Sequence, residues 1–97
     1  MRSVVYHRLA PREARELVEY YEQISEELAD SFWKELLDSI KYAQSFPERH
    51  HYDSTGLRRC NLHRFPVHFL FRANEAQIRI TTFRHNRQNP DHGSKRN

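Results

Sequence analysis

The sequence contains few of the residues that cross-link or interrupt small domains. Its 97 residues include one cysteine, Cys60, two glycines and four prolines. A single cysteine cannot form an internal disulfide and offers no cluster of thiolates to zinc. No stretch approaches the ~18 consecutive apolar residues of a membrane-spanning helix, and the N-terminal apolar stretch is too short for a secretory signal peptide. We therefore expect a cytoplasmic protein that binds no membrane, metal or cofactor.

The apolar content is low, but aromatic residues partly compensate for it. Hydrophobic residues make up 37% of the chain and charged residues 30%. The aromatic residues, six Phe, five Tyr and one Trp, can each bury about 150–250 Å². The length predicts one domain, which we place at residues 1–90, and the polar residues 91–97 are expected to form a flexible tail.

Acidic and basic residues are segregated along the chain. Residues 9–48 carry ten acids and four bases, whereas residues 49–97 carry ten bases and three acids. Thirteen of the sixteen bases are arginine, whose planar guanidinium binds phosphate or carboxylate through two hydrogen bonds. The C-terminal half therefore suggests an anionic partner. Ion pairing between acidic helices and a basic sheet of the same molecule is the alternative.

The first half of the chain has the pattern of a strand followed by two helices. Residues 3–7 are β-branched and aromatic, which is typical of a strand. Apolar residues then recur at helical spacing, first after Pro11 and again after Ser25, a favourable N-cap. Phe46-Pro47 ends the second helix, because the residue before proline avoids helical geometry.

The second half of the chain alternates with a period of two after a polar loop at residues 47–56. This pattern predicts strands at residues 57–63, 67–72 and 76–84, joined by short turns. The predicted fold is α+β with the order β-αα-βββ. An N-terminal strand and a helical hairpin would pack on a small, mainly antiparallel sheet.

Alternation along these strands separates an apolar side from a cationic side. The apolar side, expected to contact the helices, comprises Cys60, Leu62, Val67, Phe69, Phe71, Ile78, Ile80 and Thr82. The other side has arginines and histidines and no acid; it comprises Arg59, Asn61, His63, His68, Leu70, Arg72, Arg79, Thr81, Phe83 and His85. We expect this side to be exposed and to bind an anion. An ordinary solvated sheet face is the alternative.

Several single residues admit two interpretations. Trp33 and Leu37 widen the apolar stripe of the second helix, so they belong either to the core or to a groove for a partner peptide. His85 and Arg87 end the last strand as solvated residues or as part of a target contact. The histidines lack the spacing of a zinc site, and Cys60 has no base on its own side of the sheet.

The order and spacing of several short motifs resemble the RelE/ParE toxin superfamily of bacterial type II toxin–antitoxin modules. The resemblance covers about residues 3–92 and is carried by Leu9-Ala10-Pro11, Ala14, Tyr20-Tyr21, Ser25, Leu28, Ala29, Phe32, Phe46-Pro47, Arg58 or Arg59, Phe65-Pro66, Val67 to Phe71, Ile78-Arg79-Ile80 and His85-x-Arg87-x-x-Pro90. It implies a helical hairpin on an antiparallel sheet, the fold that the periodicity predicts independently.

The superfamily includes ribosome-dependent mRNA endonucleases and ParE-like inhibitors of DNA gyrase, which are not hydrolytic. Nuclease members commonly have an arginine where this chain has Pro66, a tyrosine after the final strand, and lysines in the basic cluster. Here no tyrosine follows Tyr52, and residues 49–94 contain no lysine. The resemblance therefore implies the ParE-like branch, which is associated with plasmid stabilisation, and a protein that is not an enzyme.

The resemblance also implies partners and the residues that would bind them. A cognate antitoxin would neutralise the chain in a hetero-oligomer by contacting Trp33, Leu37, Arg59 and Leu70, and its acidic residues would meet Arg59, Arg72 and Arg79. DNA gyrase would be bound by Arg59, Arg72, Arg79, Arg84, His85 and Arg87. In an mRNA endonuclease acting on the ribosome, Arg59, Arg72 and Arg79 would instead hold phosphates, with His85 as acid or base. A degenerate, non-toxic binding module is the third hypothesis.

Overall fold

The computed structural model describes residues 1–96 and contains two long helices and one four-stranded sheet. Strand β1 (Ser3–Tyr6) precedes helices α1 (Ala10–Glu22) and α2 (Glu26–Ser45) and a 3₁₀ turn at Pro47–Arg49. Strands β2 (Arg58–Asn61), β3 (Val67–Ala73) and β4 (Gln77–His85) follow. The predicted α+β class and the order β-αα-βββ are confirmed.

Local sequence sets the limits of the two helices. Pro11 lies in the first turn of α1, where its missing N–H costs no hydrogen bond. The Ser25 hydroxyl accepts a hydrogen bond from the Leu28 N–H at 3.0 Å and caps α2 as predicted. Because three residues separate the helices, they fold back on each other as a hairpin.

The sheet has the strand order β1-β4-β3-β2. β2, β3 and β4 form the expected antiparallel meander, and β1 pairs with β4 in parallel. Glu35 of α2 connects the β2–β3 turn to the helical hairpin by hydrogen bonds. Its carboxylate accepts hydrogen bonds from the backbone N–H groups of His63 (2.7 Å) and Arg64 (3.1 Å).

The core lies between the hairpin and one side of the sheet. Phe32 and Leu36 of α2 are fully buried against sheet residues that include Phe69, Phe71 and Ile80. Burying such a side chain contributes about 1.5–3 kcal/mol. This contact between the helices and the apolar side of the sheet is the arrangement that the alternation predicts.

A β-bulge in β4 interrupts that alternation. Phe71 pairs with Ile80, but the preceding Leu70 pairs with Thr82, so Thr81 is an extra residue in β4. Successive side chains of a strand point to opposite sides, so one extra residue inverts the pattern of every residue beyond it. Sequence alternation alone does not reveal the inversion.

The predicted sides of the last β4 residues are wrong for this reason. Phe83 and His85 were expected on the cationic side, but they lie on the helix side, where they pair with Phe69 and Val67. Thr82 was expected on the helix side and lies on the opposite one. The bulge thus moves an aromatic ring into the core.

Candidate functional site

An open, mainly apolar groove of about 630 Å³ runs along the helical hairpin and reaches the sheet edge. Both helices contribute to it at helical spacing, so it is the part of their apolar stripes that the sheet does not cover. Its lining residues include Ala14, Val18, Ala29, Trp33, Leu36, Leu37 and Ile40.

The residues predicted to bind an antitoxin are divided between this groove and the sheet. Trp33 and Leu37 line the groove with 46% and 39% of their surface exposed, so they do not complete the core. Leu70 is 0% exposed, which corrects the expectation that it contacts a partner. Arg59 pairs with Leu70 in the sheet and therefore lies on the side away from the helices.

The side of the sheet away from the helices is covered, contrary to the expectation of a bare cationic face. Arg84 is 3% exposed, and its Nη1 donates to the carbonyl oxygens of Pro90 at 2.7 Å and His92 at 2.9 Å. Asp53 lies 3.5 Å from Arg59 Nη1 and 3.8 Å from Arg84 Nη2. A loop acid and the C-terminal segment thus cover Arg59 and Arg84 on this side of the sheet.

Arg84 and His68 form the buried centre of this covered side. Arg84 Nε donates to His68 Nε2 at 2.7 Å, so the ring proton resides on Nδ1, which donates to Asn86 Oδ1 at 2.6 Å. Burial lowers the pKa of His68 to about 4, helped by the charges of Arg59 and Arg84. The ring is therefore neutral at pH 7.

Asp53 is the counter-ion of Arg59 and Arg84. Burial alone would raise the pKa of its carboxyl, but hydrogen bonds from Thr55 and the nearby Arg84 and Arg59 lower that pKa overall. Sequence reasoning missed this residue. The available signal was its position as one of three acids in the basic half of the chain, close to Gly56 in the polar loop.

Residues 86–96 form a strap across the same side of the sheet. Thr82 Oγ1 lies 3.5 Å from the Gly93 carbonyl oxygen, and Arg96 Nη1 donates to the Thr81 carbonyl at 3.1 Å and to Glu13 Oε1 at 2.7 Å. The polar composition predicts a flexible tail at 91–97, whereas residues 91–96 pack here because the sheet offers them these partners. Asn97 lies outside the described residues.

Glu13 joins the strap, the helical hairpin and the sheet. Its carboxylate accepts hydrogen bonds from His92 Nε2, from Arg96 and from the Phe83 backbone N–H, the last at 3.2 Å. The Phe83 N–H lies on an edge of β4 beyond the end of β1. Glu13 therefore satisfies a strand-edge donor and neutralises the end of the strap.

Gly93→Ala is expected to cost at least about 1 kcal/mol more in the free energy of unfolding than Gly56→Ala. Both glycines have positive φ, which costs an L-residue about 1–2 kcal/mol. At Gly93 a Cβ would also lie 2.2 Å from Thr82 Oγ1, whereas at Gly56 it would meet nothing within 4 Å. Urea unfolding of both variants makes the comparison, and equal losses would contradict a tightly packed strap.

The remaining residues predicted to bind a target lie in two separate places. Arg72 and Arg79 are cross-strand neighbours on the strap side, Arg72 exposed and Arg79 partly buried. His85 and Arg87 line a cleft of about 550 Å³ beside α1. The bulge places His85 on the helix side and Arg59 lies on the other, so the set predicted for a nuclease is split across the sheet.

Metal binding, membrane insertion and thiol catalysis have little support in residues 1–96. No three His, Cys, Asp or Glu side chains there come together as metal ligands would. Within the same residues, no helix combines the length and the apolar character needed to cross a bilayer. Burial raises the pKa of the Cys60 thiol to about 12, so it stays protonated at neutral pH.

No protein-family model matches the sequence, and no curated protein matches it. A solved structure described as the chromosomal ParDE TA system from P. aeruginosa contains a chain that matches 88% of this chain and 96% of its own length. The TM-score is 0.73 and the sequence identity 21%. The fold is ParE-like. The fold implied by the sequence resemblance is thus confirmed.

Proposed function

We propose that this chain is the toxin of a type II toxin–antitoxin module. In the cytoplasm it would inhibit DNA gyrase until a cognate antitoxin neutralises it. The observation that supports this most directly is the open groove on a ParE-like fold, with Trp33 and Leu37 exposed along it. Apolar patches of this kind on small proteins mark surfaces that a partner covers.

Neutralisation would follow from a helical segment of the antitoxin lying in the groove. Helix-in-groove recognition uses apolar side chains at positions i, i+3, i+4 and i+7 of the bound helix, which the apolar lining of the groove would receive. Trp33 would act as the central anchor, since tryptophan carries a large share of binding energy at such interfaces. The groove is assigned to the antitoxin, and gyrase is assigned to the basic residues outside it.

Target binding is assigned to residues that remain accessible. Arg72 and Arg87 are exposed, and His85 is partly exposed beside Arg87. Arg59 and Arg79 lie with Arg72 on the side of the sheet away from the helices and would add charge there, whereas His85 and Arg87 form a separate basic place beside α1. Arg84 is buried and holds the strap, so its role in target binding would be indirect.

An mRNA endonuclease needs a base, an acid and cations around one phosphate. His85 and Arg59 lie on opposite sides of the sheet, so these two groups cannot meet at one phosphate in this arrangement. The geometry therefore favours the ParE-like activity.

Inducible expression tests the proposal first, because a toxin should arrest growth and co-expression of its cognate antitoxin should restore it. Purified protein is then added to a gyrase supercoiling assay, where we expect inhibition at micromolar concentration. Unchanged supercoiling would contradict the gyrase assignment, and transcripts cleaved in a His85-dependent manner would support the endonuclease instead. Normal growth on induction would indicate a non-toxic binding module.

Trp33→Ala is expected to weaken antitoxin binding at least about tenfold while leaving the protein folded, because this half-exposed ring lines the groove. Tyr52→Ala is the matched control, since Tyr52 is 66% exposed and does not line the groove. Titration of both variants with the purified antitoxin measures the difference. Equal affinities would remove the groove from the antitoxin interface.

A further inference from the structure

The groove differs in charge from one end to the other. Glu22, Glu26 and Asp30 line the end nearest the connection between α1 and α2. The opposite end, at Pro11 and Ile40, is uncharged. One basic side chain, Arg15, is found among the described lining residues, part-way along α1. An occupant would therefore meet negative charge at one end of the groove.

Within residues 1–96 no ion pair of 4.0 Å or less joins a base to Glu22, Glu26 or Asp30. Glu26 has a structural reason to be acidic, because it lies at the positive N-terminal end of α2. The helix dipole acts on Glu22 in the opposite sense, because Glu22 lies at the negative C-terminal end of α1. The last turn of α1 has no basic residue. A cation from a partner would relieve this repulsion.

The dimensions of the groove suit a helix. From Pro11 to Glu22 the α1 wall rises by about 17 Å, or three helical turns. Ala14 and Ala29 are small residues on facing walls, and they allow another helix to approach closely. A helix of about three turns would thus bring one of its ends next to the acids.

We propose that the groove binds an amphipathic antitoxin helix of about three turns whose Lys- or Arg-bearing end lies over Glu22, Glu26 and Asp30. This inference rests on the proposed function and specifies the chemistry of the partner. It differs from the sequence-based expectation of acidic antitoxin residues on Arg59, Arg72 and Arg79. Arg59 already forms an ion pair with Asp53, whereas the groove acids form none within residues 1–96.

Two fluorescein-labelled, amphipathic 14-residue peptides test the proposal against the full chain. They share one leucine stripe and differ in a single terminal turn, which carries three lysines in one peptide and three glutamates in the other. We expect the lysine peptide to bind at least about tenfold more tightly by fluorescence anisotropy, with a preference that shrinks as salt is added. Equal affinities, or no binding of either peptide, would overturn the proposal.

Matched variants locate the source of the preference. The triple variant Glu22→Gln, Glu26→Gln, Asp30→Asn should abolish it, whereas Glu19→Gln, Glu27→Gln, Asp38→Asn should keep it. The control set changes the same residue types and the same total charge at exposed positions outside the groove. A preference that survives the first set, or that disappears in the second, would contradict the assignment to the groove.

Two further measurements separate this inference from the proposed function. If induction arrests growth but the peptides bind equally, the toxin proposal stands and the charge assignment fails. If the lysine peptide is preferred but growth is normal, the groove chemistry stands and the toxin proposal fails. A protein that sediments as a dimer, and becomes monomeric on Trp33→Asp, would show that a second copy fills the groove and would overturn the proposal.

Discussion

Arg84→Ala is expected to lower the free energy of unfolding by about 3–5 kcal/mol, a large fraction of the stability of a domain of this size. The variant removes the donor to His68 Nε2 and to the carbonyl oxygens of Pro90 and His92. The buried His68 Nε2 would then lack a partner, the two part-buried carbonyl oxygens would lose theirs, and Asp53 would lose one of its two arginines. Chemical denaturation, with the change read at constant m-value, measures the loss.

Arg72→Ala is the control for this prediction. Arg72 lies on the same side of the sheet but is exposed, so its loss should change stability by less than about 0.5 kcal/mol. Arg84→Lys should fall between the two, because it keeps the charge without the planar set of donors. Equal stabilities of the Arg84→Ala and Arg72→Ala variants would mean that the strap is not held as described.

Lowering the pH from about 6.5 to about 4 is expected to remove about 3 kcal/mol of stability through His68 alone. Burial lowers the pKa of His68 to about 4 in the folded protein, with smaller effects from Arg59 and Arg84, whereas an unfolded histidine takes up its proton near 6.5. Between these values the unfolded state binds more protons. The contribution is therefore fully present above about pH 6.5 and is lost as the pH falls.

Histidine variants are needed to assign this pH dependence to His68. Burial and nearby arginines such as Arg96 also lower the pKa of His7, so a second histidine contributes in the same direction. His68→Gln should flatten the dependence of stability on pH in this window, and His51→Gln, at an exposed position, should leave it unchanged. Urea unfolding midpoints at half-unit pH steps suffice. An unchanged slope in His68→Gln would show that the ring is not buried in its neutral form.

The helices and most strands could be predicted because their causes are local. The Ser25 hydroxyl caps α2 by accepting a hydrogen bond from the backbone N–H three residues later, and Pro11 favours the first turn of α1. The apolar stripes that contact the sheet follow from periodicity alone. Parallel pairing of β1 with β4 joins residues more than seventy positions apart, so no local pattern indicates it.

The candidate site could be predicted in part. Trp33 and Leu37 lie in an open groove because a stripe wider than the sheet can cover stays exposed, which was one of the two interpretations from sequence. The expectation of a bare cationic side was wrong because residues 86–96 cover it, and a bulge at Thr81 moved Phe83 and His85 to the helix side. Asp53 then supplied a counter-ion from a distant loop.

Local sequence patterns specify which elements form, which stripe of each is apolar, and that basic residues concentrate in the second half. These properties depend on neighbours a few positions away, through hydrogen bonds and burial at a fixed period. Which arginines stay accessible depends on contacts between distant parts of the chain, because Asp53, Glu13 and residues 86–96 reach the arginines across the fold. The tertiary structure also decided the charge along the groove, since Glu22 and Asp30 become neighbours of one surface only when the hairpin closes.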